Sequence, residues 1–250
     1  MPALQAYSRD LPYSYALGLF PASELMKKRP ELARRLLVSS KAENSEGLAA
    51  LRVLCSRRQV REEQADKALA RVSGKENCFA AAVFAKTEEA PLPGRPQVLL
   101  VNPSDCGNVG TILRTALGFG VRDVTLIAPC ADVFDPKTVR ASMGSLFRLR
   151  VKTYDAYEAW EAENRGRPLY PFMLDASRPM EEVLAEPVPP DWTLAFGNEG
   201  SGLPAAYAGR GQAVRIPSND LVDSLNLSIA AAIGIYAFTR TSPADVQKKS

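Results

Sequence analysis

Five short apolar runs punctuate the second half of this sequence, and helical patterns lie between or after them. The runs are Val98 to Val101, Val124 to Ala128, Tyr170 to Leu174, Trp192 to Phe196 and Ala213 to Ile216. Short, mostly apolar runs of that length mark strands covered on both faces. Their alternation with helices marks a mostly parallel sheet with helices on both faces. The expected fold class is therefore α/β. In such sheets ligands sit beyond the carboxyl ends of the strands, so the informative residues belong in strand-to-helix loops.

The chain changes character at Ala90-Pro-Leu-Pro-Gly-Arg-Pro96, three prolines and a glycine in seven residues. Proline continues neither a helix nor a central strand, so the stretch reads as a linker. Charge changes there too. Up to Pro96 there are 16 Lys/Arg against 11 Asp/Glu; beyond it, 15 against 17. The expected division is a smaller α/β domain over residues 1–90, a linker over 91–97, a larger domain over 98–242 and a polar tail over 243–250. In the smaller domain the pattern predicts a short helix over Glu31 to Leu37 leading into a strand at Leu36-Leu37-Val38. It predicts further helices over Gly47 to Cys55 and Arg61 to Ala70, and a strand over Cys78 to Ala85. Basic clusters at Lys27-Lys28-Arg29, Arg34-Arg35 and Arg57-Arg58 with Arg61 read as a solvated face or a phosphate-binding surface.

Composition excludes several chemistries. There is no histidine, which removes Ser-His-Asp and Cys-His catalysis, histidine general bases and histidine-bound zinc. Four cysteines (Cys55, Cys78, Cys106, Cys130) are scattered with no C-x-x-C pair, against a disulfide scaffold or structural zinc. The N-terminus lacks the pattern of a signal peptide. The longest apolar stretch, Leu225 to Phe238, is too short and too polar at its start to span a bilayer. The expectation is a cytoplasmic protein with no membrane and no metal.

Three loops carry the remaining signal. The first runs from Asn102 through Asn108 and Gly110 to Arg114 and Gly118. Asn108 is the expected helix cap, with Val109, Ile112, Leu113, Ala116 and Leu117 as the buried stripe and Arg114 opposite. Gly110 and Gly118 lie four residues either side of Arg114. Glycine costs about 1 kcal/mol in a helix relative to alanine, so two of them beside an arginine suggest a bare surface for a close-approaching group. The second loop, Gly197-Asn198-Glu199-Gly200-Ser201-Gly202, is neither a dinucleotide-binding turn nor a P-loop. Glu199 between glycines at a strand end is a candidate to orient a cation such as Arg114. In the third loop, Ile216-Pro217 leads to Ser224-Leu225-Asn226-Leu-Ser228. Ser224 is the expected cap of a helix apolar nearly all round and therefore buried, and Asn226 in its first turn calls for a polar partner.

Together these stretches resemble the motifs of the SpoU/TrmH family of RNA 2′-O-ribose methyltransferases, in the SPOUT superfamily. The matches are Asn108 to Ala116, Leu194 to Leu203, and Ile216-Pro217 with Ser224 to Ser228. Asp135 to Gly144 resembles the family's middle segment, and residues 1–90 are similar to a small RNA-binding domain often fused to it. The resemblance covers Gln97 to Arg240. It departs from the pattern at Ser218 and Asp220, where the family carries methionine and glycine. It implies a trefoil knot, a homodimer and transfer of a methyl group from S-adenosyl-L-methionine to a ribose 2′-hydroxyl of RNA, ribosomal RNA ahead of transfer RNA. It further implies Arg114, Asn108, Glu199, Ser224 and Asn226 as catalytic residues. Cofactor contacts are implied at Gly197, Asn198, Gly200, Ile216, Pro217, Leu225 and Asn226. The residues themselves leave open a nucleotide-dependent enzyme using the Gly197 loop, or a non-catalytic RNA-binding protein.

Overall fold

The computed structural model describes residues 4–43, 45–73, 78–175, 177–219 and 221–241. Asp220 and the tail over 243–250 lie outside them. In chain order the elements are β1 (Tyr13–Leu17), α1 (Leu19–Lys28), β2 (Ala33–Val38), α2 (Glu46–Arg57), β3 (Arg61–Gln64), α3 (Asp66–Ser73) and β4 (Ala80–Ala85). Then follow β5 (Gln97–Val101), α4 (Cys106–Gly118), β6 (Asp123–Ile127), α5 (Pro136–Ala141), β7 (Arg150–Tyr154), α6 (Tyr157–Glu163) and β8 (Leu169–Pro171). Last come β9 (Arg178–Pro179), α7 (Met180–Leu184), β10 (Thr193–Phe196), β11 (Val214–Arg215) and α8 (Leu227–Thr241). The chain divides into two compact units. The first comprises Met1–Thr87 and Asp132–Arg148; the second comprises Glu88–Ala131 and Leu149–Ser250. The second thus begins near the proline-rich stretch, but the first reclaims Asp132–Arg148 from the middle of the second.

The first unit is a four-stranded sheet, β1-β4-β2-β3. β4 pairs antiparallel with both β1 and β2, and β2 pairs parallel with β3. Tyr15, Leu37, Leu69, Ala81 and Val83 build its core. Asp132–Arg148 is tied in by packing and by polar contacts. Phe147 meets Phe84 edge-on at 5.0 Å between ring centroids. Arg148 Nη2 donates to Glu24 Oε2 at 2.6 Å. The Tyr7 hydroxyl donates to Asp132, and the Ser14 hydroxyl to the Phe134 carbonyl.

Two expectations for this unit change. Arg61 to Ala70 is not one helix but β3 followed by α3. The polar run Arg-Glu-Glu-Gln has helix-forming residues, yet it supplies the parallel partner that β2 needs, with Leu36 opposite Glu62. Tertiary pairing overrides local propensity there. The helix expected over Glu31 to Leu37 shrinks to one 3₁₀ turn at Pro30–Leu32, and β2 begins at Ala33.

The second unit is a five-stranded, all-parallel sheet in the order β7-β6-β5-β10-β8. β5, β6 and β10 are buried at every residue, as apolar runs in a covered sheet should be. Leu99, Ile127, Trp160, Ala195 and Tyr207 share one core cluster. The strand β7 has no continuous apolar run; it sits at the sheet edge with Arg150, Lys152 and Thr153 half-buried. The carboxyl ends of β5 and β10, which pair in register from Thr193/Gln97 to Phe196/Leu100, deliver the first and second loops side by side.

Helix starts also differ from expectation. Asp105, not Asn108, caps α4, its carboxylate accepting from Asn108 N–H at 2.7 Å. Asn226, not Ser224, caps α8. Its Oδ1 accepts from the Ser228 N–H at 2.9 Å and the Ser228 hydroxyl at 2.7 Å. Such a cap contributes about 1 kcal/mol. Asp105 sits three residues before Asn108, so capping by Asp105 frees the Asn108 amide for longer-range bonds. Nor is α8 buried all round: Ile229 is 51% and Tyr236 49% exposed, and Tyr236 packs its ring on Phe119 at 5.5 Å.

Candidate active site

The three loops of the second unit converge through one chain of hydrogen bonds. Glu199, on the turn after β10, reaches the loop that opens α4. Its Oε2 accepts from the Ser104 N–H at 2.9 Å and the Ser104 hydroxyl at 2.7 Å, and its Oε1 accepts from the Asp105 N–H at 3.1 Å. Asn108 Nδ2 donates to the same Oε1 at 3.2 Å. Asn226 Nδ2, from the third loop, donates to Asn108 Oδ1 at 3.2 Å. Residues 91 to 118 positions apart are thereby joined.

Burial alone would favour the neutral acid at Glu199, but it is outweighed. The Ser104 backbone and hydroxyl donors, its own backbone, and Asn108 hold the carboxyl down at about 2. Glu199 is therefore an anion, stabilised by donors rather than by a cation. The expected pairing with Arg114 does not occur among the described residues.

Glycine at 197 is dictated by the backbone. A Cβ there would lie 2.1 Å from the Gly202 carbonyl carbon and 2.2 Å from the Leu203 nitrogen. The turn folds back on itself, with Asn198 and Gly202 exchanging backbone bonds at 3.1 and 2.9 Å. Asn198 pins the turn: its Oδ1 accepts from the Gly200 N–H at 2.9 Å and the Ser201 N–H at 3.2 Å, and its Nδ2 donates to the Asn102 carbonyl at 2.9 Å. Asn102 holds the opposite side of the contact in the left-handed region, φ 54°, a conformation asparagine tolerates better than most residues. Ser104 and Asp105 were not singled out as site residues in the sequence. Their signal is the run of turn-forming types Asn-Pro-Ser-Asp directly before a helix.

The remaining expected residues are arrayed around this chain without joining it. Arg114 is exposed on α4, and its side chain makes no hydrogen bond or ion pair with the described residues. Gly118 has open space where a Cβ would be, whereas Gly110 is buried. Ser224 is exposed, Ile216 and Leu225 are half-buried, and Pro217 is exposed. Neither Ile216 nor Leu225 forms a backbone hydrogen bond with a described residue. The site is thus a locked hydrogen-bonded spine with a free guanidinium on the same helix and unpaired peptide groups on the third loop.

The family model of the SpoU rRNA Methylase family matches residues 95–236. The chain is 33% identical over 159 residues to the 23S rRNA (guanosine(2553)-2′-O)-methyltransferase RlmP of Bacillus subtilis, covering 62% of this chain and 62% of that one. It is 33% identical over 149 residues to a 23S rRNA (uridine(2479)-2′-O)-methyltransferase of Streptomyces viridochromogenes, covering 57% and 52%. The chain therefore spans less than two thirds of the length of these relatives. The SpoU methyltransferase AviRb of Streptomyces viridochromogenes, solved in complex with the cofactor AdoMet, superposes with a TM-score of 0.77 at 26% identity, over 92% of this chain and 90% of that one. The match of the family to more than half the sequence, and to all three converging loops, makes this chain a member of the SpoU rRNA methylase family.

Proposed function

We propose that this protein methylates a ribose 2′-hydroxyl of structured RNA, ribosomal RNA ahead of transfer RNA, using S-adenosyl-L-methionine. The observation that carries the reading is the Glu199–Asn108–Asn226 chain, which ties the three family loops into one spine. Ribosomal RNA is favoured because relatives similar to this chain are named for 23S rRNA.

The residues fit that cofactor by their donor set. The third loop offers the unpaired peptide groups of Ile216 and Leu225 beside exposed apolar side chains, Leu221 and Val222. Such a surface suits an uncharged base and sugar, with no phosphate to cradle. Gly197, Asn198, Gly200, Ile216, Pro217, Leu225 and Asn226 would hold it. When bound, S-adenosyl-L-methionine supplies an electrophilic sulfonium methyl. The chain's own contribution is to seat the ribose in line and hold it there, which lowers a barrier by several kcal/mol when the reacting atoms are pre-aligned.

Arg114 acts by charge. A guanidinium keeps its proton at any working pH, so it does not serve as a base. It pins the phosphate beside the target ribose or favours the developing alkoxide, the hydroxyl proton passing to solvent water as the methyl is taken up. Asn108, Glu199 and Asn226 fix the loops around it, and Ser224 contacts the ribose or its neighbours.

The functional form is a homodimer. Ile229, Tyr236 and Phe119 form an apolar face on α8 and the end of α4, 38 to 51% exposed in the single chain, which a second copy would cover. The trefoil path of the family belongs to the same reading. Gly211 is required where the chain after the second loop lies hard against β8, since a Cβ there would fall 2.1 Å from the Leu169 carbonyl oxygen. The protein works in the cytoplasm, the residues 1–90 engaging RNA and 98–242 the chemistry. Among the described residues no helix is long and apolar enough to cross a membrane, and no group of three or more acidic or cysteine residues is arranged to hold a metal.

The test is transfer of labelled methyl from S-adenosyl-L-methionine to ribosomal RNA, followed by mapping of 2′-O-methylated nucleotides. Thermal stabilisation by S-adenosylhomocysteine and not by NAD is expected. Stabilisation by NAD alone, or absence of ribose methylation across total RNA, would overturn the reading.

A further inference from the structure

The first unit contains a cavity of about 380 Å³, within the size range of small-ligand sites. Its floor is apolar: Leu17, Val72 and Pro136 line it and are buried. Its rim carries three cationic side chains, Arg71 from the end of α3 and Lys137 and Arg140 from α5. Lys137 and Arg140 are three residues apart, so they share a face of their helix.

The rim's charge is largely unspent. Lys137 and Arg140 are exposed, and their side chains make no ion pair or hydrogen bond with the described residues. Arg71 donates to the Leu4 carbonyl at 3.1 Å through one nitrogen, Nη1. Among the described lining residues the one carboxylate, Asp135, caps α5 by accepting from the Lys137 N–H at 2.7 Å. Among the described lining residues, three cations face one carboxylate around an apolar hollow, and an anion would relieve their mutual repulsion. Tyr7 adds an aromatic wall that is held in place. Its hydroxyl donates to Asp132, and Lys86 Nζ sits 5.0 Å from its ring centroid.

An apolar floor and an aromatic wall suit the base of a nucleotide, and a cationic rim suits its phosphate. Single-stranded RNA is recognised in this way, with bases against apolar and aromatic side chains and phosphates on Lys and Arg. We infer that this cavity binds one nucleotide of the RNA strand, its phosphate on Arg71, Lys137 and Arg140 and its base against Leu17, Val72 and Tyr7. The inference rests on the RNA-directed reading above and gives a role to the segment Asp135–Gly144, which the proposed chemistry leaves unused.

The experiment titrates a short fluorescein-labelled oligouridylate against the full chain by fluorescence anisotropy at low and high salt. Lys137→Glu with Arg140→Glu weakens binding by about tenfold or more and flattens its salt dependence. Ala6→Trp, at an exposed residue lining the cavity, weakens binding without changing charge, because it fills the hollow. Unchanged oligouridylate affinity in either variant overturns the inference. Circular dichroism confirms folding, and the Lys137→Ala, Arg140→Ala pair asks the same question if the reversal unfolds the chain. Adenosine monophosphate and inorganic phosphate compete only weakly; competition by adenosine monophosphate equal to that of the oligonucleotide overturns the assignment to an RNA strand. S-Adenosylhomocysteine binding, followed separately, reports on residues of the second unit. Its failure would count against the methyltransferase reading and leave the oligouridylate result to be judged by itself.

Discussion

Asn226 donates from Nδ2 to Oδ1 of Asn108 at 3.2 Å across 118 positions of sequence, and Asn108 passes the direction on by donating to Glu199. The two bonds fix which way each amide faces, since only the NH₂ end can donate. Asn108→Asp removes the donor and sets a second negative charge beside an existing one. The expected outcome is a loss of about 1–3 kcal/mol in stability together with a fall in methyl transfer. Thermal denaturation and a turnover assay check it; Asn108→Ala should be the milder change.

The Glu199 carboxyl, held at about 2 against an ordinary 4.5, makes a pH prediction with a definite sign. A depressed folded-state value means that the unfolded chain takes up the proton first. The contribution of Glu199 is fully present above 4.5 and is lost as pH falls toward 2. Glu199→Gln should lower stability by about 1–2 kcal/mol at neutral pH, and the gap to the unaltered protein should close only in acid. Denaturant unfolding measured across that pH range is the check. A gap that instead widens in acid would contradict the bonding described.

At the second loop, two neighbouring glycines should behave oppositely. Gly197→Ala forces a Cβ to 2.1 Å from backbone carbon, while at Gly200 the nearest atom is Asn198 Oδ1 at 3.5 Å. Gly197→Ala should cost about 3 kcal/mol or more, the upper end for overpacking, or prevent folding. Gly200→Ala should be close to neutral. Melting temperatures of the two variants give the answer directly.

Arg114 carries no structural bond among the described residues, so its removal should leave the fold intact. Arg114→Ala should abolish methyl transfer while S-adenosylhomocysteine binding, read by calorimetry, survives. Arg114→Lys should also be poor, because lysine lacks the two-pronged geometry. Loss of cofactor binding in Arg114→Ala would assign the residue to the binding site instead.

The exposed face of α8 predicts the assembly. Ile229→Lys with Tyr236→Glu should convert a dimer to a monomer in light scattering. An unaltered protein that is already monomeric at micromolar concentration would remove the reason for the apolar face proposed here.

The central strands and the glutamate turn were readable because the physics that makes them is local. Val98 to Val101 is apolar throughout and Trp192 to Phe196 is apolar except for Thr193, as a strand covered on both faces demands. The structure agrees within a residue at either end. The misreadings arose where the deciding partner is remote. Arg61–Gln64 is a strand because β2 lies beside it. Arg150–Tyr154 is a strand although Arg150, Lys152 and Thr153 are polar, because the edge of a sheet needs burial on fewer positions. Asp105 and Asn108 are both good caps three residues apart, and only the distant Glu199 and Asn226 decide which amide is needed elsewhere. The apolar circumference of α8 is real, but Ile229 and Tyr236 stay about half exposed among the described residues, with Tyr236 covered in part by Phe119.

Asp132–Arg148 leaves the larger unit, completes the smaller one and returns. A chain clipped at the proline-rich stretch would separate Phe147 from Phe84 and Arg148 from Glu24. The smaller unit would lose part of its interior while the larger kept its sheet, and the orphaned segment would dangle an aromatic ring in water. A replacement N-terminal half must therefore bring its own cover for Phe147 and its own partner for Arg148.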